Sequence, residues 1–321
     1  MATSAAAWQA PATMGHRAFT RYAWGVLGFA LLAILWGYFL RISESGDGCG
    51  TDWPMCRAAL EAETPSFSTL VELSHRLSSG LVLVLVLGMF VWAYRAYPRG
   101  SAVRFGATCA LALTLSESLF GALLVLFGWV AGDISTGRLL IRPFHVTNTF
   151  SLMAALALTP LWASRGTARR PALSGEGLRI MWPAVLGALA LAWTGAWTGL
   201  ATTAFAPATL QEGLDQYQDP EHLLIPLRLL HPVLAVGVTA LLLRTAARLR
   251  RPGGDPLAAR LGTAVAILAV AQLAVGAGTI LLGNPALARL FHLLVADAIW
   301  ILLILAGATT LERAARSAPA V

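Results

Sequence analysis

The sequence predicts an all-α polytopic membrane protein, with eight transmembrane helices arranged as two parallel-repeat four-helix bundles. Three observations carry this prediction. The first is composition: of 321 residues, 57% are hydrophobic and 12% charged, against about 25% charged in a soluble domain. The second is a series of apolar runs near the roughly 20 residues that cross a hydrocarbon slab. The third is a likeness between the two halves of the chain.

The runs, in order, are 22–40, 70–94, 105–131, 139–163, 178–203, 223–243, 261–282 and 287–311. Residues 1–20 are small and polar, and no removable signal peptide is expected. All 23 cations are arginine. Sixteen of the 23 fall in the N-terminal tail, the even-numbered loops and the C-terminal tail, Arg95, Arg99, Arg165, Arg169, Arg170 and Arg248 among them. By the positive-inside rule these segments are cytoplasmic, and the loops 41–69 and 202–221 face outward. The chain is placed in the cell membrane with both termini inside. The net charge of +7 is accounted for by those loops, so no nucleic-acid partner is expected.

The connector 164–177 (SRGTARRPALSGEG) is basic and rich in Gly, Ser and Pro, with four spans on each side. The expected units are a tail at 1–20, a first bundle at 21–163, this linker, a second bundle at 178–313 and a tail at 314–321. The third run holds Glu117-(x)3-Gly121 and the seventh holds Gln272-(x)3-Gly276. The second, fourth, sixth and eighth runs each carry a histidine near the start. An even number of spans per half makes the halves run the same way, so the repeats are parallel.

Those histidines are His75, His145, His231 and His292, each five to eight residues inside the outer end of its run. At about 1.5 Å per residue they share one depth. Two imidazoles from two helices of a bundle suit the axial positions of a heme, so each half is expected to hold one bis-histidine site. His16 and His222 lie outside the spans and receive no role. Arg142, Arg228 and Arg289 each precede a histidine by three residues, which places a cation on the same helix face one turn nearer to water. Heme propionates need cations there, and arginine meets carboxylates with two donors.

The fourth site breaks the pattern: it reads Glu72-x-x-His75, with Arg76 displaced to the next residue. A carboxylate at that turn would repel propionates. The pair His231 and His292 therefore reads as a holding site, flanked by Arg228 and Arg289. The pair His75 and His145, with Arg76 and Arg142, reads as a reactive site in which Glu72 handles protons. The alternative for Glu72 is a structural ion pair with Arg76. Cys49 and Cys56 lie in the first outer loop, where an oxidising compartment favours a disulfide. Cys109 reads as a small buried residue. Glu117 and Asp297 are intramembrane acids, functional by default, without an assigned role.

Taken together these residues resemble the heme A synthase family. The matching stretches are 41–56 (RISESGDGCGTDWPMC), 72–76 (ELSHR), Gly121, Gly276 and the four histidines. The resemblance implies oxidation of the C8 methyl of heme O to a formyl group, giving heme A for terminal cytochrome oxidases. It implies heme b in the C-terminal half, heme O as substrate and heme A as product in the N-terminal half, a catalytic Glu72, and a Cys49–Cys56 disulfide. Heme O synthase, cytochrome oxidase assembly factors and an unidentified electron acceptor are the implied partners; a homo-oligomer is compatible with it. The chain departs from the family pattern in having no second cysteine pair in 202–221, Pro232 directly after His231, and Glu117 where the other repeat has Gln272. Two rivals stand beside this reading: a di-heme, quinol-oxidising electron-transfer cytochrome, and a heme carrier without catalysis.

Overall fold

The computed structural model describes residues 14–167, 175–251 and 254–317, and every regular element among them is helical. In order these are α1 (Met14–Ile42), α2 (Arg57–Glu61), α3 (Phe67–Ala96), α4 (Ala102–Leu126), α5 (Thr136–Arg165), α6 (Gly175–Ala204), α7 (Leu210–Asp215), α8 (Leu224–Leu249), α9 (Pro256–Leu281) and α10 (Ala286–Ser317). Eight are long and apolar enough to cross a membrane, and they coincide with the eight expected runs. Two short helices, α2 and α7, lie in the loops 41–69 and 202–221.

The ends differ from the hydropathy limits for local reasons. Helix α1 begins at Met14, inside the expected tail 1–20, and α10 continues to Ser317, past residue 313. A helix continues beyond the hydrocarbon when nothing breaks it, and hydropathy registers only the apolar part. Helix α4 stops five residues before the expected 131, where Gly128 (φ +66°) and Ala131 (φ +47°) turn the chain. Serines cap three helices by accepting a backbone N–H: Ser66 from Thr69, Ser101 from Arg104 and Ser135 from Arg138. Each satisfies a donor that the first turn leaves orphaned. Arg169 and Arg170 of the connector lie outside the described residues.

Neighbour relations show two rings of four. Helices α1, α3, α4 and α5 pack in a closed ring, and α6, α8, α9 and α10 pack in the matching one. The seam between them is made by α5 and α10, with α6 against α5 and α1 against α10. These two central helices are the most buried spans. A core cluster runs across the seam from Phe150, Met153 and Leu156 of α5 to Trp300, Ile301 and Leu305 of α10. The Trp300 indole N–H donates to the Phe150 carbonyl at 2.7 Å.

Proline makes one of these ties. Pro143 inside α5 cannot donate to the carbonyl four residues earlier. That carbonyl belongs to Leu139, and the Trp197 indole of α6 donates to it at 3.0 Å. Inside a membrane a freed carbonyl needs such a partner, so Pro143 turns a defect of α5 into a contact between the halves.

Candidate functional site: two histidine pairs beneath a clamped disulfide loop

The helix limits place His75, His145 and His292 deeper than their apolar runs implied and leave His231 one residue shallower. His75 is eight residues past Phe67, His145 nine past Thr136, His231 seven past Leu224 and His292 six past Ala286. The spread of three residues is about 4.5 Å along a helix, so the four still share one layer. His231 and His292 lie with ring centroids 6.3 Å apart and ring planes at 73°. Two metal–imidazole bonds of about 2.0 Å each, together with the two ring radii, fill a gap of that size. Burial leaves His292 Nδ1 without a hydrogen-bond partner. Such an orphan in a buried site points to a missing ligand. His231 Nδ1 lies 3.2 Å from the Thr194 hydroxyl, which orients the ring. Among the described residues no group of three or more His, Cys, Asp or Glu could hold a bare metal ion. A two-histidine site suits a metal whose remaining ligands come from a macrocycle.

Three of the four rings are seated on a glycine of the adjoining helix. A Cβ built on Gly37 of α1 would lie 2.6 Å from His75 Cε1. On Gly195 of α6 it would lie 2.9 Å from His231 Cε1, and on Gly276 of α9 3.1 Å from His292 Cε1. At Gly37 and Gly195 only a residue without a side chain lets the imidazole in so close, and at Gly276 the ring would have to give by a few tenths of an ångström. Gly121 of α4 holds the repeat position beside His145, yet nothing lies within 4 Å of its built Cβ.

His145 is engaged elsewhere. Its Nε2 donates to Glu117 Oε1 at 2.9 Å, and its ring stacks on Phe120 at 5.8 Å. Glu117 is itself held, accepting from the Thr149 hydroxyl at 2.6 Å and from the Asn148 amide. His75 sits in the same electrostatic neighbourhood as His145 and Glu117, and its Nδ1 is buried without a partner. Sequence reasoning gave Glu117 no role, although its exchange for Gln272 between the repeats was visible.

Glu72 and Arg76 are placed by helix geometry. At i and i+4 they share a face, and they form the buried ion pair that was the alternative reading of ELSHR. Glu72 is 2% exposed. Its second oxygen accepts the Cys49 N–H at 2.8 Å. Arg76 donates to the carbonyls of Asp52, Pro54 and Met55. The pair therefore grips both sides of the loop closed by the Cys49–Cys56 disulfide. Thr69 adds a hydrogen bond to the Gly48 carbonyl at 2.8 Å. Gly48 must be glycine, because a Cβ there would meet the Ser68 backbone at 2.3 Å.

The expected propionate cations divide into two groups. Arg228 donates to Gln216 Oε1 and to the carbonyls of Ala201 and Phe205, holding the outer loop around α7. Arg76 holds the disulfide loop. Arg142 and Arg289 instead lie at the seam, together with Arg41 from the end of α1, around the Tyr38 ring. The Arg41 guanidinium lies 4.4 Å over that ring and presses on Gly199 of α6. Arg41 Nε and Nη1 and Arg142 Nε are buried without a hydrogen-bond partner. The charged groups acting on Arg41 and Arg142 include no carboxylate. Arg289 donates to the Thr203 hydroxyl at 3.0 Å. Sequence reasoning missed Arg41 and Tyr38; their position one turn apart at the end of the first run was the available signal.

Fold and site define an eight-span helical membrane protein with a histidine pair in each of two four-helix bundles. Residues 20–304 match the family described as cytochrome oxidase assembly protein (COX15-CtaA). The chain belongs to this family, that of the heme A synthases. It is 40% identical over 298 residues to a protein of Thermus thermophilus named protoheme IX farnesyltransferase. That match covers 92% of this chain but 49% of the relative, so the chain spans about half the length of that relative. It is 38% identical over 96 residues to heme A synthase of Exiguobacterium sp. AT1b, covering 30% of this chain and 32% of that protein. It is 31% identical over 157 residues to heme A synthase of Exiguobacterium sibiricum, covering 49% and 48%.

Proposed function

We propose that the chain is a heme A synthase that oxidises the C8 methyl of heme O through the alcohol to the formyl group. The observation that carries this reading is a pair of unequal two-histidine sites in one chain of the heme A synthase family. His231 and His292 hold heme b, which when bound supplies an electron path away from the substrate. His75 and His145 receive the substrate porphyrin. Arg142 and Arg41 take the propionates, because their unspent donors have no carboxylate acting on them, and Arg289 beside them adds a third cation. Glu72 and Arg76 serve the reaction by keeping the disulfide loop seated over His75. The arginine bias and the disulfide support an outward-facing site with both termini cytoplasmic. The farnesyltransferase name of the Thermus relatives, only half matched here, supports a heme O synthase as the supplier of substrate.

Porphyrin extraction after expression with heme O tests the reading. The expected product is heme A or its hydroxylated intermediate. Return of unmodified heme O alone would overturn it and leave the di-heme cytochrome. Heme B supplied with a farnesyl donor should come back without a farnesyl group. Its farnesylation would instead extend the Thermus relatives' name to this chain.

A further inference from the structure

We propose that Glu117 is a positioning residue that makes His145 an exchangeable ligand, while the other three histidines are fixed ones. This rests on the reading of His75 and His145 as the substrate site. Two independent observations carry it. The first is the bond itself. A ring nitrogen that donates to a carboxylate has its lone pair occupied by a proton and cannot bind iron with that atom. His145 Nε2 is in that state on Glu117. The second is the seat. His75, His231 and His292 rest on Gly37, Gly195 and Gly276, whereas Gly121 is left with open space.

The repeat supplies the control. Gln272 holds on α9 the position that Glu117 holds on α4. The Gln272 amide donates to the His292 backbone carbonyl at 2.8 Å. It steadies the helix and leaves the His292 imidazole free, with Nδ1 unpartnered. The carboxylate does the opposite and takes the ring. It can do so because it is fixed by its neighbours: Asn148 and Thr149 donate to it, and Ser116 in turn donates to Asn148 Oδ1. Asn148 also donates to the Leu113 carbonyl at 3.0 Å, which locks its amide orientation.

The consequence is a difference in residence. In the C-terminal half Gln272 leaves the His292 ring alone, and the His231 ring meets the Thr194 hydroxyl and the Leu191 backbone, so no carboxylate competes with a ligand there. In the N-terminal half the ligand must displace Glu117 from His145, and Glu117 recaptures the ring when the ligand leaves. A substrate that must enter, react and depart as product needs that behaviour, and a permanent cofactor does not.

The test uses the full-length protein purified with its C-terminal heme and titrated with hemin. Glu117→Gln copies the Gln272 position. It should slow transfer of the N-terminal heme to apomyoglobin about tenfold, the scale of one charge-assisted hydrogen bond lost by the competitor. It should also shift that heme towards a low-spin, two-histidine spectrum and leave the C-terminal heme unchanged. Gln272→Glu should loosen the C-terminal heme and provides the check if the first variant fails to fold. Unchanged transfer rate and spin state in Glu117→Gln would overturn the proposal, as would an unaffected C-terminal heme in Gln272→Glu. Hemin exchange is read without turnover, so a wild-type protein that makes no heme A would sink the proposed reaction and not this inference.

Discussion

A single methyl group placed under each histidine gives a graded test of the glycine seats. Ordinary contact begins at 3.4 Å, so an alanine at Gly37 falls short by 0.8 Å, at Gly195 by 0.5 Å and at Gly276 by 0.3 Å. At Gly121 there is no conflict. The atom met in each of the three cases is the edge of an imidazole, which can swing aside. Metal–ligand bonds tolerate about 0.2 Å, so the ring moves further than coordination allows. Overpacking of this kind costs about 1–3 kcal/mol, which corresponds to roughly 5–150-fold weaker heme binding.

The fold itself should not suffer. Glycine inside a helix is about 0.5–1 kcal/mol worse than alanine, so the substitution strengthens the helix while it evicts the ligand. The assay is heme per protein by pyridine hemochrome, with the melting temperature of the heme-stripped protein. Gly195→Ala should lose most of the b-type heme without a lowered melting temperature of the heme-stripped protein, and Gly276→Ala should lose less. Gly37→Ala should impair the N-terminal site most, and Gly121→Ala should be silent. A full complement of heme in Gly195→Ala would refute the seats. So would a Gly121→Ala protein as damaged as Gly195→Ala.

His231→Ala should abolish the b-type spectrum while leaving the protein folded in detergent, as circular dichroism would show; a retained spectrum would remove His231 from the ligand set. Glu72→Ala breaks a buried ion pair, at a cost of about 3–5 kcal/mol, and frees the Cys49 N–H. The b-type spectrum should persist, heme A formation should fall, and the disulfide should reduce faster in a timed reductant assay; normal heme A output with unchanged reduction would refute the clamp. Asp255 caps α9, bonding the N–H groups of Leu257 and Ala258, and pairs with Arg165 at 3.0 Å. Burial raises its carboxyl pKa, but the bonds from Arg165 and the two N–H groups outweigh this and hold it below the usual carboxylate range. Its contribution is therefore present above about pH 4 and is lost as pH falls through the lowered value. Asp255→Ala should cost about 1 kcal/mol at neutral pH, and the melting-temperature gap to wild type should close in acid. A gap that widens in acid would refute that sign.

The fold was legible because hydrocarbon length is a one-dimensional constraint: a run of about 20 apolar residues has few alternatives. The histidines were legible for the same reason, as costly groups in an apolar run. Their surroundings were not. Gly37 and His75 meet across α1 and α3, 38 residues apart, and nothing in either run marks the pair. Glu72 reads in sequence as a lone acid above a histidine. The Cys49 N–H that occupies it arrives only when the loop folds back. Arg228 illustrates the same limit, because its three acceptors lie on α6 and the loop around α7. An Arg-x-x-His spacing fixes the face and the turn of the arginine, but not whether a loop reaches it first.

The repeat resolves what spacing could not. Four residues stand one turn before the four histidines: Glu72, Arg142, Arg228 and Arg289. They sort by the position of their helix and not by their charge. Helices α3 and α8 are equivalent peripheral helices, and both Glu72 and Arg228 hold an outer loop. Helices α5 and α10 are equivalent central helices, and both Arg142 and Arg289 lie at the seam around Tyr38 and Arg41. A peripheral helix has a loop folded over its outer end, whereas a central helix has the other bundle. The two halves therefore direct cations towards each other, and anionic edges of two porphyrins would converge on one arginine cluster. The halves differ instead at the helices opposite, α4 and α9, where Glu117 has a carboxylate and Gln272 an amide. On the proposed reading, placement of the ligand would follow the shared frame, and its residence would follow the Glu117/Gln272 exchange together with the open space at Gly121.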